Sequence, residues 1–144
     1  MNDYDPNFKP VKSYFIVGQK AIIRNESGYM LLLQRSEKSG AGGKWSLPGG
    51  ALENGESHFS GIEREITEET SLQVEKLRPF TLRSYKNGED SVIIVGYECV
   101  AKTTEVTLNW EHTEYEWISK EDALKKDLTD DARFLIEHSL KQIV

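Results

Sequence analysis

The 144-residue sequence has one cysteine, Cys99, only four prolines, and no apolar run near the roughly 18 residues that cross a membrane. A lone thiol excludes an internal disulfide and a cysteine-cluster zinc site, and it fits a reducing cytoplasm. Cys99 lies in the apolar run DSVIIVGYECVA, where a buried structural thiol is expected. Positive charge is also scarce: 18 lysines and arginines face 24 acids, for a net charge of -6. With no basic stripe, binding to a nucleic-acid polymer through its backbone is excluded. The opening MNDYDPNFKP carries acids and no apolar segment, unlike a secretory signal, so a cytoplasmic location is expected. Repeats, low-complexity tracts and linkers are absent, which leaves one domain over 1–144. Gly40, Gly42 and Gly43 do not form the GxGxxG of a dinucleotide fold.

Strand-like runs are present instead. SYFIVGQKAIIRN (13–25) and YMLLLQRS (29–36) are rich in β-branched and aliphatic residues, with Asn25, Ser27 and Gly28 turning between them. A glycine-rich loop (37–45) leads to WSLPGGALE, a short strand broken at Pro48-Gly49-Gly50. From Ser57, an N-cap, to about Ser71 the spacing is helical, with Phe59, Ile62, Ile66 and Thr70 on the face toward a core. VEKLRPFTLRSY and DSVIIVGYECVA flank Asn87-Gly88, a hairpin signal. TEYEWIS (113–119) is a further strand. A helical turn near 121–126 and a helix from Asp130 to Gln142, capped by Thr129 and packing Phe134, Leu135 and Leu140, end the chain. The expected class is α/β, a sandwich with a mixed β-sheet between helices.

The run Arg64–Thr70, REITEET, places three glutamates in five residues behind an arginine. With Glu65 at 0°, Glu69 lies at about +40° and Glu68 at about -60° on a helix. All three project beside the apolar face rather than opposite it. Like charges so close repel, and an acid-rich edge held by a rigid helix suits a hard divalent cation that takes oxygen ligands. Arg64 precedes Glu68 by four residues, a spacing that allows pairing.

Upstream residues extend the pattern. Gly50, five residues, Glu56, seven residues, then Arg64-Glu65-Ile66-x-Glu68-Glu69-x-x-Leu72 resembles the signature of the Nudix hydrolases, Gly-x5-Glu-x7-Arg-Glu-U-x-Glu-Glu-x-Gly-U, where U is a bulky aliphatic residue. Six charged or glycine positions and both aliphatic ones match. At roughly one in fifteen per fixed residue, six chance matches have odds of about one in ten million. Ser71 stands where the signature has its second glycine, a helix-ending position that favours left-handed backbone. Serine there costs about 1 kcal/mol.

The resemblance implies an enzyme that cleaves a nucleoside diphosphate linked to another moiety, by attack of metal-activated water. It implies Glu65, Glu68 and Glu69 as ligands for Mg2+ or Mn2+, with the Gly49 carbonyl adding an oxygen beside Gly50. Glu56 would support the site, and Arg64 would orient Glu68. The family often adds an acid from a loop near the last strand. In NWEHTEYEW (109–117) that is Glu111, as extra ligand or general base, with Glu114 in reserve. His112 is expected to be an exposed loop histidine. Arg35, and less so Lys44, could bind a phosphate.

Substrate markers are missing. Residues 87–90 read Asn-Gly-Glu-Asp, whereas Pro79 and Tyr85 fall too early to mark an ADP-ribose or dinucleoside polyphosphate enzyme. Elimination favours a (deoxy)nucleoside triphosphate cut to monophosphate and pyrophosphate. ADP-ribose, nucleotide-sugar or dinucleoside polyphosphate hydrolysis is the alternative, and a non-catalytic nucleotide-binding module the alternative of another class. Trp45, Phe80, Tyr85, Trp110 and Tyr115 are the candidates for base stacking. Assembly is open, a homodimer being the commonest form.

Overall fold

A computed structural model describes residues 3–140. The apolar runs become strands: β1 (Ile16–Arg24), β2 (Met30–Arg35), β3 (Trp45–Ser46), β4 (Gly49–Ala51), β5 (Val74–Asn87), β6 (Asp90–Ala101) and β7 (His112–Ile118). They form one sheet in the order β3-β2-β1-β6-β5, with β4 also on β1 and β7 also on β2. The β1–β6 pair is parallel and the other pairs are antiparallel, so the sheet is mixed as expected. Asn87 and Asp90 pair across Gly88-Glu89, and Gly88 takes the positive φ of 63° that the hairpin needs.

Continuous apolar runs are what a strand buried on both faces requires. Ile22 and Leu32 join one core with Val92, Ile94, Leu135 and Ile136, under helices α2 (Lys120–Ala123) and α3 (Asp130–His138). Their neighbours Ala21, Ile23, Leu31 and Leu33 join the opposite core with Ile62, Ile66 and Leu72, under helix α1 (His58–Thr70). Cys99 is buried there. Helices therefore cover both faces of the sheet. Among the described residues, no helix is long and apolar enough to cross a membrane.

Both expected caps form: Ser57 accepts from the Ser60 N–H at 3.2 Å, and Thr129 from the Ala132 N–H at 3.3 Å. Ser71 ends α1 in left-handed backbone, φ 61° and ψ 13°.

Several expectations need correction. β1 begins at Ile16 rather than Ser13. Phe59 is 42% exposed, because the first turn of α1 meets the sheet through Gly61, and the Phe59 ring lies against His58 instead. α3 stops at His138, where Ser139 turns extended, so Leu140 is exposed rather than packed; Gln142 lies outside the described residues. His112 is not an exposed loop residue. It opens β7 opposite Arg35, and the sheet buries it to 5% exposure.

Candidate active site

The turn Leu47–Gly50 and the face of α1 build the site together. β4 runs antiparallel to β1, setting Gly49 opposite Lys20 and Gly50 opposite Gln19. Close approach to backbone requires glycine at 49, and Gly50 leaves room for a side chain of α1. A Cβ on Gly49, whose φ is 145°, would lie 1.9 Å from the Gln19 carbonyl oxygen. A Cβ on Gly50 would lie 2.7 Å from a Glu65 carboxylate oxygen. The Glu65 carboxylate thus rests on the Gly50 backbone. Glu69 reaches the same turn, where its carboxylate accepts the Gly49 N–H at 2.7 Å.

Glu69 is 1% exposed. Burial, with smaller contributions from Glu111 and Glu65, pushes its carboxyl up to about 8, against the pull of Lys20 and the Gly49 N–H. Burial also raises Glu65, which feels Glu68 and Glu111. Glu111, on the loop before β7, is therefore the loop acid whose charge reaches both. The reserve, Glu114, lies opposite Gln34 on β7 and is exposed.

Arg64 gathers the remaining acids. Its Nε donates to Glu56 at 2.6 Å, and a terminal nitrogen to the same carboxylate at 3.1 Å. It lies 3.2 Å from Glu65, 3.2 Å from Glu68 and 3.6 Å from Glu53. The hydrogen bond from Arg64 holds Glu56 below the usual carboxylate range. Glu65, Glu68 and Glu56 are thus brought together by one guanidinium. Among the described residues, no three acid, histidine or cysteine side chains close around a single point. The donor set is nonetheless all oxygen, on a rigid helix set against the Gly49–Gly50 turn. One of its carboxylates, Glu69, is buried, and burial outweighs the pull of Lys20 on it. Such a set fits a hard divalent ion.

The sequence reading missed Lys20. Its Nζ donates to the carbonyls of Leu47 at 3.4 Å and Gly49 at 3.3 Å. Burial lowers its pKa, and Arg35 adds to the lowering, while Glu69, Asp131 and Glu65 act against it. A lone lysine inside QKAIIRN offers one sequence signal, a charge on the inward face of a buried strand. His112 is pushed down to about 4 by burial and by Lys20 and Arg35.

The other candidates are placed as follows. Arg35 donates its Nε to the Gly40 carbonyl at 2.6 Å and a terminal nitrogen to the Ser39 carbonyl. Lys44 pairs with Asp127 at 3.8 Å. Trp45, Phe80 and Tyr85 pack half-buried against the core beneath α3, and the Tyr85 hydroxyl donates to Asp131 at 3.2 Å. Trp110 and Tyr115 are exposed, away from that core.

Residues 15–138 match the model of the NUDIX domain. The nucleoside triphosphatase NudI of Escherichia fergusonii is 30% identical over 118 residues, covering 74% of this chain and 84% of that protein. Among solved structures, a MutT protein from Methanosarcina mazei Go1 superposes with a TM-score of 0.74 at 34% identity, covering 89% of this chain and 94% of that one. The NUDIX domain of Shewanella oneidensis NrtR, solved with ADP ribose, gives a TM-score of 0.74 at 22% identity and shares the fold, covering 94% of this chain and 91% of that one.

Proposed function

The chain belongs to the Nudix hydrolases, and from that premise we propose that it is a Mg2+- or Mn2+-dependent pyrophosphohydrolase. Its substrate would be a (deoxy)nucleoside triphosphate, cut to the monophosphate and pyrophosphate. One observation carries the reading: the buried Glu69 carboxylate and the Glu65 carboxylate converge on the Gly49–Gly50 backbone within reach of the charge of Glu111. The nucleoside triphosphatase relative supports the substrate class.

Glu65, Glu68, Glu69 and the Gly49 carbonyl would hold the ion, with Glu111 as a further ligand or base. When bound, the ion supplies charge neutralisation at the phosphates and acidifies water. The chain's own residues do the rest. Glu111 takes the proton of the attacking water as its oxygen bonds to phosphorus. The bridging P–O bond breaks, and pyrophosphate leaves with that electron pair. Arg64 fixes Glu56 and Glu68, so the acidic face keeps its geometry as charge shifts. The net charge of -6 would then pose no obstacle to a polyanionic substrate, because a cation held by these carboxylates would offset it.

The test is incubation with nucleoside triphosphates, ADP-ribose, nucleotide sugars and dinucleoside polyphosphates, with Mg2+, Mn2+ or EDTA, and identification of products by mass. Wild-type protein is expected to release monophosphate and pyrophosphate only with metal. Glu69→Gln is expected to fold and to lose at least about 100-fold in kcat, near 2.7 kcal/mol. Turnover in EDTA, or a fully active Glu69→Gln, overturns the reading.

A further inference from the structure

Arg35 and Lys20, whose charges act on each other's surroundings, are held differently. The Arg35 guanidinium is committed to the glycine loop through the Ser39 and Gly40 carbonyls. Among the described residues, the Lys20 ammonium reaches the Leu47 and Gly49 carbonyls through two long hydrogen bonds, at 3.4 and 3.3 Å. An ammonium carries three donors on a flexible four-carbon stem, so Lys20 is loosely parked. The strand beneath it is fixed by pairing with Gly49, so any displacement falls on the side chain. Its charge acts on Glu69, Asp131 and Glu65.

The Gly49 carbonyl is also the backbone oxygen assigned above to the divalent ion. An ammonium and a divalent ion on one carbonyl oxygen repel strongly where solvent is scarce. We propose that Lys20 competes with the divalent ion for the Gly49 carbonyl, and that the displaced ammonium binds a phosphate oxygen of the substrate. The proposal rests on the metal-site reading of the previous subsection. It makes Lys20 a device that keeps the site from remaining anion-rich when no ion is bound. It also makes Lys20 a phosphate ligand that becomes available only once the ion has bound.

The two halves have opposite signs, which separates them from a merely structural role. A lysine that only braced the 47–49 turn would, when removed, weaken ion and phosphate binding together. In the proposed role, Lys20→Met tightens Mn2+ binding to the nucleotide-free protein, because the competitor is gone. It weakens binding of imidodiphosphate, a phosphate-only compound, in excess Mg2+. Calorimetry on the full chain should show each effect at about tenfold. Lys20→Arg keeps the charge and is expected to hold imidodiphosphate within about threefold of wild type. Weaker or unchanged Mn2+ binding in Lys20→Met overturns the proposal, and so does unchanged imidodiphosphate binding.

A second measurement needs no folded variant. In wild-type protein labelled with [ε-13C]lysine, the Lys20 signal should shift with Mg2+ and again with imidodiphosphate. A signal unmoved by both removes the proposal. Failure of the underlying reading looks different, since wild-type protein would then bind no Mn2+ and hydrolyse nothing.

Discussion

Two arginine–carboxylate clusters lie at different places on this sheet, and they follow opposite rules. Arg24 and Glu98 meet at 3.2 Å with side chains 1% and 2% exposed, and Arg78 adds a second positive charge 3.6 Å from Glu98. Arg24 also donates to the Leu140 carbonyl, tying down the chain after α3. Two guanidiniums face the one buried carboxylate, so its negative charge is met within the protein. Around Arg64 one guanidinium serves Glu53, Glu56, Glu65 and Glu68, while Glu69, buried one turn on, lies outside its reach. This cluster carries surplus negative charge on a surface that the fold partly shields from water. The difference shows what separates a structural ion pair from a candidate site: the balance of charge, not burial or distance.

The balanced pair should matter most for folding. Arg24→Ala leaves Glu98 buried with only the longer Arg78 contact and orphans the Leu140 carbonyl. A loss of about 3–5 kcal/mol is expected, readable as a lower urea midpoint with divalent-ion affinity unchanged. If Arg24→Ala instead left stability intact and cost ion binding, the contrast between the clusters would collapse.

Arg64→Ala tests the unbalanced side. It frees Glu56, Glu65 and Glu68 without removing an oxygen donor. Mn2+ affinity by calorimetry is expected to fall about 10- to 100-fold, as when other supporting partners of ligands are removed. The urea midpoint should move less than in Arg24→Ala, because Arg64 is itself partly exposed and its pairs with Glu53 and Glu68 are surface pairs, leaving the Glu56 and Glu65 contacts to carry the loss.

Surplus acid should also show in the pH dependence of the metal-free protein. Glu69 titrates near 8 when folded, well above its ordinary 4.5. The unfolded chain therefore ionises first, and stability falls as pH rises from 4.5 to 8. His112, pushed down to about 4 from 6.5, acts the other way, costing stability as pH falls below 6.5. In Lys20→Met, which removes the opposing titration of a lysine whose pKa burial lowers, the window from 6.5 to 8 isolates the acids. Stability without metal should drop there by between about 1 and 2 kcal/mol. Mg2+ or Glu69→Gln should flatten the slope. A metal-free protein equally stable at both ends of the window would mean that Glu69 is not short of positive charge.

Which of these features the sequence discloses follows from distance along the chain. REITEET, Gly50 and Glu56 form a local pattern, and the α1 face that they imply is present. Helices on both faces of the sheet also followed, from the order of strands and helices along the chain. Arg24 and Glu98 are 74 residues apart, and only the parallel β1–β6 register joins them. Lys20 was overlooked for the same reason, since its role comes from β4 folding back onto β1. His112 was misread because TEYEWIS suggested that β7 starts one residue later. The shift in register between Gln34 and Arg35 draws His112 into the ladder, under the field of Lys20 and Arg35.

The smallest expected effect belongs to Ser71, which ends the acid-bearing helix in left-handed backbone. Its N–H closes α1 on the Thr67 carbonyl, so the cap is formed despite the side chain. Ser71→Gly removes the clash between Cβ and carbonyl, although it also adds chain entropy to the unfolded state. A gain of at most about 1 kcal/mol is expected in the urea midpoint. Mn2+ affinity should not change, because Ser71 lies beyond the last ligand and touches none of the carboxylates. That result would place the helix end with the balanced parts of the fold, where changes alter stability alone. A shift in ion affinity with Ser71→Gly would instead show that the cap sets the angle at which α1 presents Glu69 to the Gly49 N–H.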